Sequence, residues 1–184
     1  MPLRGPVPVK LFKKEDSEKI SVGPMTIYIF EDGSNTDNRI GCMTLELPPA
    51  TSGPPLHWHR FHDECFFITK GGGLDHVARY SVNELGRGHV LLADVDDESG
   101  TVRFKTPEGD VDAEEGQVMV VPPRAIHSFA NASETEPAEF FMTSTPDFRT
   151  IGKTVAEGKK MSPDETQRLM ALFGTFPPDV ESEP

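Results

Sequence analysis

The chain has 184 residues, which is enough for one domain with a substantial hydrophobic core. Its apolar fraction of 36%, together with 17 Pro and 16 Gly, favours short strands and many turns over long helices. The net charge of −12 argues against nucleic acid and anionic membranes as partners, because both reward clustered Lys and Arg. No apolar run approaches the roughly 20 residues that span a bilayer.

The expected compartment is the cytoplasm. The first residues of the chain contain no apolar signal core, which argues against secretion. Cys42 and Cys65 both lie in apolar, strand-like runs. We interpret them as reduced core thiols of an intracellular protein rather than as a disulfide.

In chain order, the sequence predicts an N-terminal arm over residues 1–24 and then a series of short strands. The predicted strands cover residues 25–30, 40–47, 64–69, 101–106, 117–121, 127–130 and 139–143. Turns are predicted at residues 32–35 and 111–116. Short strands separated by turn signals are typical of an antiparallel β-sandwich or β-barrel.

The C-terminal part, residues 146–184, changes to a helical pattern. Pro146 begins a first predicted helix, because proline favours the first helical position. Ser162 and Glu165 have the spacing of a capping box and begin a second helix, which Gly174 ends. We expect these two helices to cover one opening of the barrel.

Residues 72–99 are an atypical insertion. Without them, the flanking residues would read as one continuous hairpin, and the segment itself has neither strand nor helix periodicity. A lid, a subunit contact and a translated intron kept by faulty gene modelling are all open interpretations. We expect a non-catalytic insertion and assign it no chemistry.

Three imidazoles and one carboxylate stand at spacings that a β-barrel can gather around one metal ion. Residues two apart in a strand face the same side, so His57 and His59 point inward together. Glu64 lies at an odd offset from His59, so residues 60–63 must turn or bulge for Glu64 to face inward as well. With His127 the set contains neutral imidazole and carboxylate, which suit divalent first-row metals.

These segments resemble the two sequence motifs of the cupin superfamily. The first, G(X)5HXH(X)3-4E(X)6G, fits at His57, His59, Glu64 and Gly71 and only loosely at Gly53. The second, G(X)5PXG(X)2H(X)3N, fits at Gly116, Pro122, His127 and Asn131, with Arg124 in place of its middle glycine, which leaves the turn geometry open. The resemblance covers roughly residues 40–145. It is closest to small single-domain, quercetinase-like cupins, including those of fungal secondary metabolism.

The resemblance implies an all-β fold: a cupin-type antiparallel β-barrel, the double-stranded β-helix, over residues 25–145. It also implies one divalent metal ion held by His57, His59, Glu64 and His127, with Fe(II) favoured and Mn, Co, Ni or Zn as alternatives. Some cupins keep the barrel but bind sugars or act as storage proteins without a metal, so that alternative stands. We interpret His62 as solvent-facing or as lying outside the ligand set, and Trp58 as a packing residue.

The leading hypothesis, which follows from the resemblance, is a metal-dependent, dioxygenase-like oxidoreductase acting on an aromatic or polyketide-type molecule of secondary metabolism. Glu64 is then a fourth ligand or a general base. Six apolar residues are predicted to line the substrate pocket: Met43, Leu45, Phe66, Ile68, Phe129 and Phe141. The alternatives are metal-assisted isomerisation, decarboxylation or cyclisation without net oxidation, and non-enzymatic binding of a small molecule. A small-molecule substrate is the expected partner, and a homodimer remains open.

Overall fold

The structure is a computed structural model that describes residues 8–70, 78–82, 88–92, 101–145 and 162–180. Within these ranges the chain is mostly β. The strands are β1 (Glu18–Val22), β2 (Met25–Asp32), β3 (Gly41–Leu47), β4 (Trp58–His59), β5 (Glu64–Lys70), β6 (Ala78–Val82), β7 (Gly88–Leu92), β8 (Val102–Thr106), β9 (Gly109–Ala113), β10 (Val118–Val121), β11 (Ser128–Asn131), β12 (Ala138–Ser144) and β13 (Thr175–Phe176). The α-helix is α1 (Pro163–Leu172), and Lys14–Asp16 forms a short 3-10 helix.

Two antiparallel sheets form the body of the fold. The larger has the strand order β1-β2-β3-β12-β5-β10, and the smaller has the order β11-β8-β9. Among the described strands, hydrogen bonding does not close these sheets into one barrel, so the expectation of a closed barrel is wrong in that respect. The chain passes from β10 to β11 through Pro122 and Pro123, which lack the N–H groups needed to continue a ladder.

A layer of aromatic rings joins the two sheets. Phe66 and Phe140 come from the larger sheet, and Phe104 and Phe129 come from the smaller one. The ring centroids of Phe66 and Phe104 are 5.1 Å apart and those of Phe129 and Phe140 are also 5.1 Å apart, both in edge-to-face arrangements. Aromatic pairs prefer this geometry, and all four rings are buried. The hydrophobic core therefore fills the space between the sheets.

Alternation along β5 decides which of its side chains face this core. Glu64, Phe66 and Ile68 are buried on the inner face, as the sequence predicts, and Phe67 is exposed on the outer face. Cys42 and Cys65 are free thiols, as expected. They are half-buried on outward-facing positions, however, and not in the core.

β1 and β9 are two of the strands that the sequence does not predict. β1 lies in the expected N-terminal arm, where Ile20 is buried opposite Ile27 of β2. β9 takes the first three residues of the predicted turn at residues 111–116. Its side chains are exposed except at Ala113, so it has no apolar alternation for a sequence pattern to detect.

The insertion at residues 72–99 also contains strands, contrary to the prediction. β6 and β7 pair with each other as an antiparallel hairpin. The strands on either side of the insertion lie in different sheets: β5 has β10 and β12 as neighbours, and β8 has β9 and β11. Both edges of each strand are thus taken, and the predicted continuous hairpin across the insertion is wrong.

The second predicted C-terminal helix is present as α1. Its N-cap, Ser162, accepts a hydrogen bond from the backbone N–H of Glu165, and the Glu165 carboxylate accepts one from the N–H of Ser162, which completes the capping box. Gly174 follows the helix in the left-handed region at φ 68°. The first predicted helix, beginning at Pro146, lies outside the described residues. No described helix is long and apolar enough to cross a bilayer.

Asn131, the last position of the second motif, has a structural role from which a stability change follows. Its buried side-chain amide donates to the carbonyls of Leu47 and Pro48, each at 3.1 Å, and of Glu136 at 2.7 Å. Asn131→Ala leaves these carbonyls without their donor and should lower the free energy of unfolding by about 1–3 kcal/mol. Urea denaturation measures the change. Thr135→Ala, at an exposed position of the same loop, should change it by less than about 0.5 kcal/mol.

Candidate metal centre

Backbone pairing brings the two histidine segments together. His57 and His127 face each other across an antiparallel bridge, with N–H to carbonyl distances of 3.0 and 2.9 Å. The next contact in the same direction is a 2.7 Å hydrogen bond from the Arg124 N–H to the His59 carbonyl. Glu64 then starts β5 opposite Val121, after a bend at residues 60–63. The bend that the sequence requires between His59 and Glu64 is therefore present.

The four predicted ligand residues form one compact group, the His3Glu cluster of His57, His59, Glu64 and His127. One ligand atom from each lies within 4.8 Å of the others, and all four residues are buried. Nε2 of His127 is 2.9 Å from Oε2 of Glu64, and Nε2 of His59 is 3.3 Å from the same oxygen. The structure thus brings together all four predicted metal ligands.

Backbone carbonyls fix the tautomers of two of the imidazoles. Nδ1 of His57 is 2.8 Å from the carbonyl oxygen of Pro55, and Nδ1 of His127 is 3.0 Å from that of Ala125. A carbonyl only accepts, so each Nδ1 carries the proton. The unprotonated Nε2 of each neutral ring is then the atom turned to the cluster, as is usual for histidines that bind metals.

This arrangement places acceptors against acceptors around Glu64. With its proton on Nδ1, the His127 ring presents a lone pair at Nε2 to Oε2 of Glu64, 2.9 Å away, unless a second proton binds there. Nε2 of His59 is buried and has no hydrogen-bond partner. A cation between these atoms, either an added proton or a metal ion, removes the conflict. The donor set therefore fits a divalent metal ion.

The pKa values follow the same geometry. Burial, reinforced by the neighbouring His127 and His59 rings, lowers the pKa of His57 to about 4, so this ring is neutral at pH 7. Burial alone raises the pKa of Glu64, but the contacts with His127 and His59 outweigh it and hold that pKa well below its usual range. Neutral imidazole and ionised carboxylate are the forms that bind metal.

Among the described residues, none of the six predicted pocket residues lines an open cavity at the cluster. Met43, Leu45, Phe66, Ile68 and Phe129 belong to the packed core between the sheets. Phe141 is one residue out of phase with the buried Phe140 and Met142, so it faces the outer side of the sheet. There it lines an apolar cavity of about 800 Å³ together with Phe30 and Phe67.

A different, largely polar cavity of about 310 Å³ lies beside the cluster. Its polar lining residues are Arg39, His62, Asp63, Thr143, Ser144 and Thr145. The His62 ring packs against the His59 ring with centroids 4.2 Å apart, and Oγ of Ser144 lies 3.5 Å from Oε1 of Glu64. His62 is outside the four-ligand group, as expected. Most of this lining follows no sequence motif, so the sequence does not predict the cavity.

Thr175 is the other residue at the site that sequence reasoning missed. It lies 116 positions from His59 along the chain, yet its Oγ1 is 2.9 Å from Nδ1 of that ring. Trp58 is a packing residue, as expected: it stacks on Phe176, with ring centroids 4.8 Å apart. No signal at Thr175 itself points to the site, because the contact depends on where α1 ends.

The sequence model of the family described as Cupin matches residues 37–168, well over half of the chain. The chain belongs to the cupin family. No curated protein sequence matches it at a significant level.

Solved structures show the same fold at low sequence identity. The polyketide cyclase RemF from Streptomyces resistomycificus has a TM-score of 0.53 and 13% identity, with 75% of this chain and 80% of that chain covered. A cupin-superfamily sugar phosphate isomerase from Silicibacter pomeroyi has a TM-score of 0.53 and 15% identity, with 74% of this chain and 75% of that chain covered. A protein described as a predicted oxalate decarboxylase from Thermotoga maritima has a TM-score of 0.52 and 17% identity, with 74% of this chain and 98% of that chain covered.

The departure from the second cupin motif at Arg124 gives a prediction about stability. Arg124 has φ 68°, so the turn keeps a left-handed conformation although its residue is not glycine. Arg124→Gly removes a left-handed cost of about 1–2 kcal/mol, against about 0.4–1 kcal/mol of added flexibility in the unfolded chain. We expect a net gain of between about 0 and about 1.5 kcal/mol in the free energy of unfolding, measured by urea denaturation. Arg124→Ala keeps the strain, so an equal gain from that control would contradict the explanation.

Proposed function

We propose that this cupin is a metal-dependent enzyme whose metal ion is held by His57, His59, Glu64 and His127. The observation that carries the proposal is the set of acceptor atoms turned toward one another in a buried space, with Nε2 of His59 lacking a partner. Fe(II) is the favoured ion, and Mn, Co, Ni and Zn share the ligand preference. Elemental analysis of the purified protein tests both the binding and the identity of the metal.

The two carboxylate oxygens of Glu64 lie in different surroundings, so one suits metal binding and the other suits proton acceptance. Oε2 is turned to the imidazoles of His59 and His127, whereas Oε1 is on the side of Ser144 and the polar cavity. A bound divalent ion supplies Lewis acidity and polarises a substrate oxygen. We assign Glu64, which is ionised at neutral pH, the role of accepting a proton at Oε1 from a substrate whose acidity the bound ion would raise.

The first candidate reaction is a dioxygenase-like oxidation. Three imidazoles and one carboxylate leave coordination positions open for oxygen or substrate, and they suit oxygen-using metals. The resemblance to quercetinase-like cupins of fungal secondary metabolism supports this reaction class. An aromatic or polyketide-type substrate remains compatible if its hydroxyl and carbonyl groups, rather than its apolar face, meet the polar cavity.

The second candidate is isomerisation, decarboxylation or cyclisation without net oxidation. The polar lining of the cavity beside the cluster supports it, because Arg39, His62 and Ser144 suit an oxygen-rich substrate. The names of the three structural neighbours point to the same kinds of reaction. Oxygen uptake with phenolic and polyketide substrates distinguishes the two candidates. Turnover without oxygen consumption favours the second, and metal-free protein that still binds a small molecule favours a binding module. A cytoplasmic location and a homodimer remain predictions.

Removal of each imidazole tests the ligand set. His57→Ala, His59→Ala or His127→Ala should weaken metal binding by more than the roughly 10–100-fold that loss of an outer partner costs. The circular dichroism spectrum should stay β-rich, because the aromatic layer between the sheets does not include these rings. His62→Ala is the matched control, since His62 packs on His59 but lies outside the group. Near-stoichiometric metal in all three ligand variants would refute the assignment.

Replacement of the carboxylate tests the proton-accepting role. Glu64→Gln keeps the shape of the side chain and an oxygen ligand but removes the base, so kcat per bound metal should fall by about 10²–10⁴-fold. Glu115→Gln is the control, because Glu115 is an exposed carboxylate outside both the cluster and the polar cavity. Full activity per metal in Glu64→Gln would exclude the base role.

A further inference from the structure

The C-terminal segment of the chain reaches the metal-ligand strand. β13 pairs with β4, so that Thr175 lies opposite His59 and Phe176 lies opposite Trp58. One residue earlier, the carbonyl of Gly174 accepts a 2.7 Å hydrogen bond from the N–H of Arg60. This short ladder places Thr175 beside Nδ1 of the His59 ring.

The partner of Nδ1 sets His59 apart from the other two imidazoles. His57 and His127 have carbonyl partners, which accept only and therefore leave one tautomer. His59 has the hydroxyl of Thr175, which can both donate and accept. If the hydroxyl donates, Nε2 must carry the proton and is lost as a ligand atom.

The surroundings of Nε2 decide the direction of this hydrogen bond. Oε2 of Glu64 lies 3.3 Å from Nε2 of His59 and outside hydrogen-bond geometry, so a proton on Nε2 would be buried with only a long, poorly aligned contact. With the proton on Nδ1, the Thr175 hydroxyl accepts it, and Nε2 turns a lone pair toward the cluster. Both His59 and Thr175 are only 6% exposed, so water does not readily replace this partner.

We propose that Thr175 is a positioning residue: its hydroxyl accepts the Nδ1 proton of His59 and so keeps Nε2 free for a metal ion. The hydrogen bond stands on the geometry alone, and its consequence for metal affinity rests on the proposed function. The C-terminal segment is then a part of the metal site and not only a cover.

Contacts on both sides hold Thr175 in place. After it, the Phe176 ring stacks on Trp58, and Nε1 of Trp58 donates to the Pro177 carbonyl at 3.1 Å. Before it, Gly174 takes the left-handed conformation that ends α1, and a Cβ at that position would come within 3.1 Å of the Phe61 ring. The hydroxyl of Thr175 is thus fixed by its neighbours in sequence.

Three variants of the full-length protein test the proposal. Thr175→Val removes the hydroxyl at nearly constant shape, and Thr175→Ser restores it. Thr51→Val removes another buried hydroxyl, one that bonds the Pro49 carbonyl, and serves as the control. Each variant is examined metal-free by 15N NMR of the imidazoles, above the ordinary histidine pKa of about 6.5, and by Co(II) binding in competition with a chelator.

We expect His59 in the wild type and in Thr175→Ser to carry its proton on Nδ1. In Thr175→Val the proton should move, wholly or in part, to Nε2, and Co(II) should bind about 10–100-fold more weakly. Thr51→Val should leave both readouts unchanged even if its Tm falls. A purely structural role would lower the Tm of Thr175→Val without changing the tautomer or, per folded molecule, the affinity, and would overturn the proposal.

The two readouts separate this inference from the proposed function. If the wild type fails to bind Co(II) or any other metal of its class, the proposed function fails, while the tautomer of His59 still decides the role of Thr175. An Nε2 proton on His59 in the wild type overturns the inference directly, even if Thr175→Val does not fold.

Discussion

Burying an ionised carboxylate costs several kcal/mol unless donors or positive charge face it. Glu64 is buried among three imidazoles, and two of these have committed their Nδ1 protons to backbone carbonyls. With those protons on Nδ1, the Nε2 atoms of both rings present lone pairs where the carboxylate needs donors. A divalent cation satisfies all of these atoms at once, which is why the acid and the imidazoles occupy the same small space.

The elements around the cluster serve to keep that arrangement rigid. The bridge between His57 and His127 sets the separation of their rings, and the left-handed turn at Arg124 returns the chain so that its N–H reaches the carbonyl of His59. A ring whose Nδ1 and whose backbone are both hydrogen-bonded has little freedom to swing out of the site. Such support by outer contacts raises the basicity of a ligand and orients it.

Those parts of the site that depend on local spacing could be predicted from the sequence. The alternation of His57 and His59, the bend before Glu64 and the inward phase of Phe66 follow from the two-residue period of a strand. The capping box at Ser162 is equally local. In each case the pattern and its structural consequence lie within a few residues of each other.

Features that depend on pairing between distant segments could not be predicted in this way. β9 is hydrophilic and is held by β8, with an ion pair between Arg103 and Asp112 across the ladder. Phe141 is apolar and so looks like a core residue. Which face of β12 it lies on is set by the pairing of that strand with β3 and β5, which are distant in sequence. Thr175 meets His59 only because α1 ends where it does.

The aromatic layer also decides from which side a substrate can approach the cluster. Phe66 lies on the core side of His127, with ring centroids 6.4 Å apart, and it packs edge to face against Phe104 and Phe140. Interiors packed in this way have few voids larger than a water molecule. Ser144, whose Oγ lies 3.5 Å from Oε1 of Glu64, and His62 line a polar cavity on the other side. Substrate selection should therefore depend on hydrogen bonding to the residues that line this cavity. Substitution of the core phenylalanines should alter stability before it alters specificity.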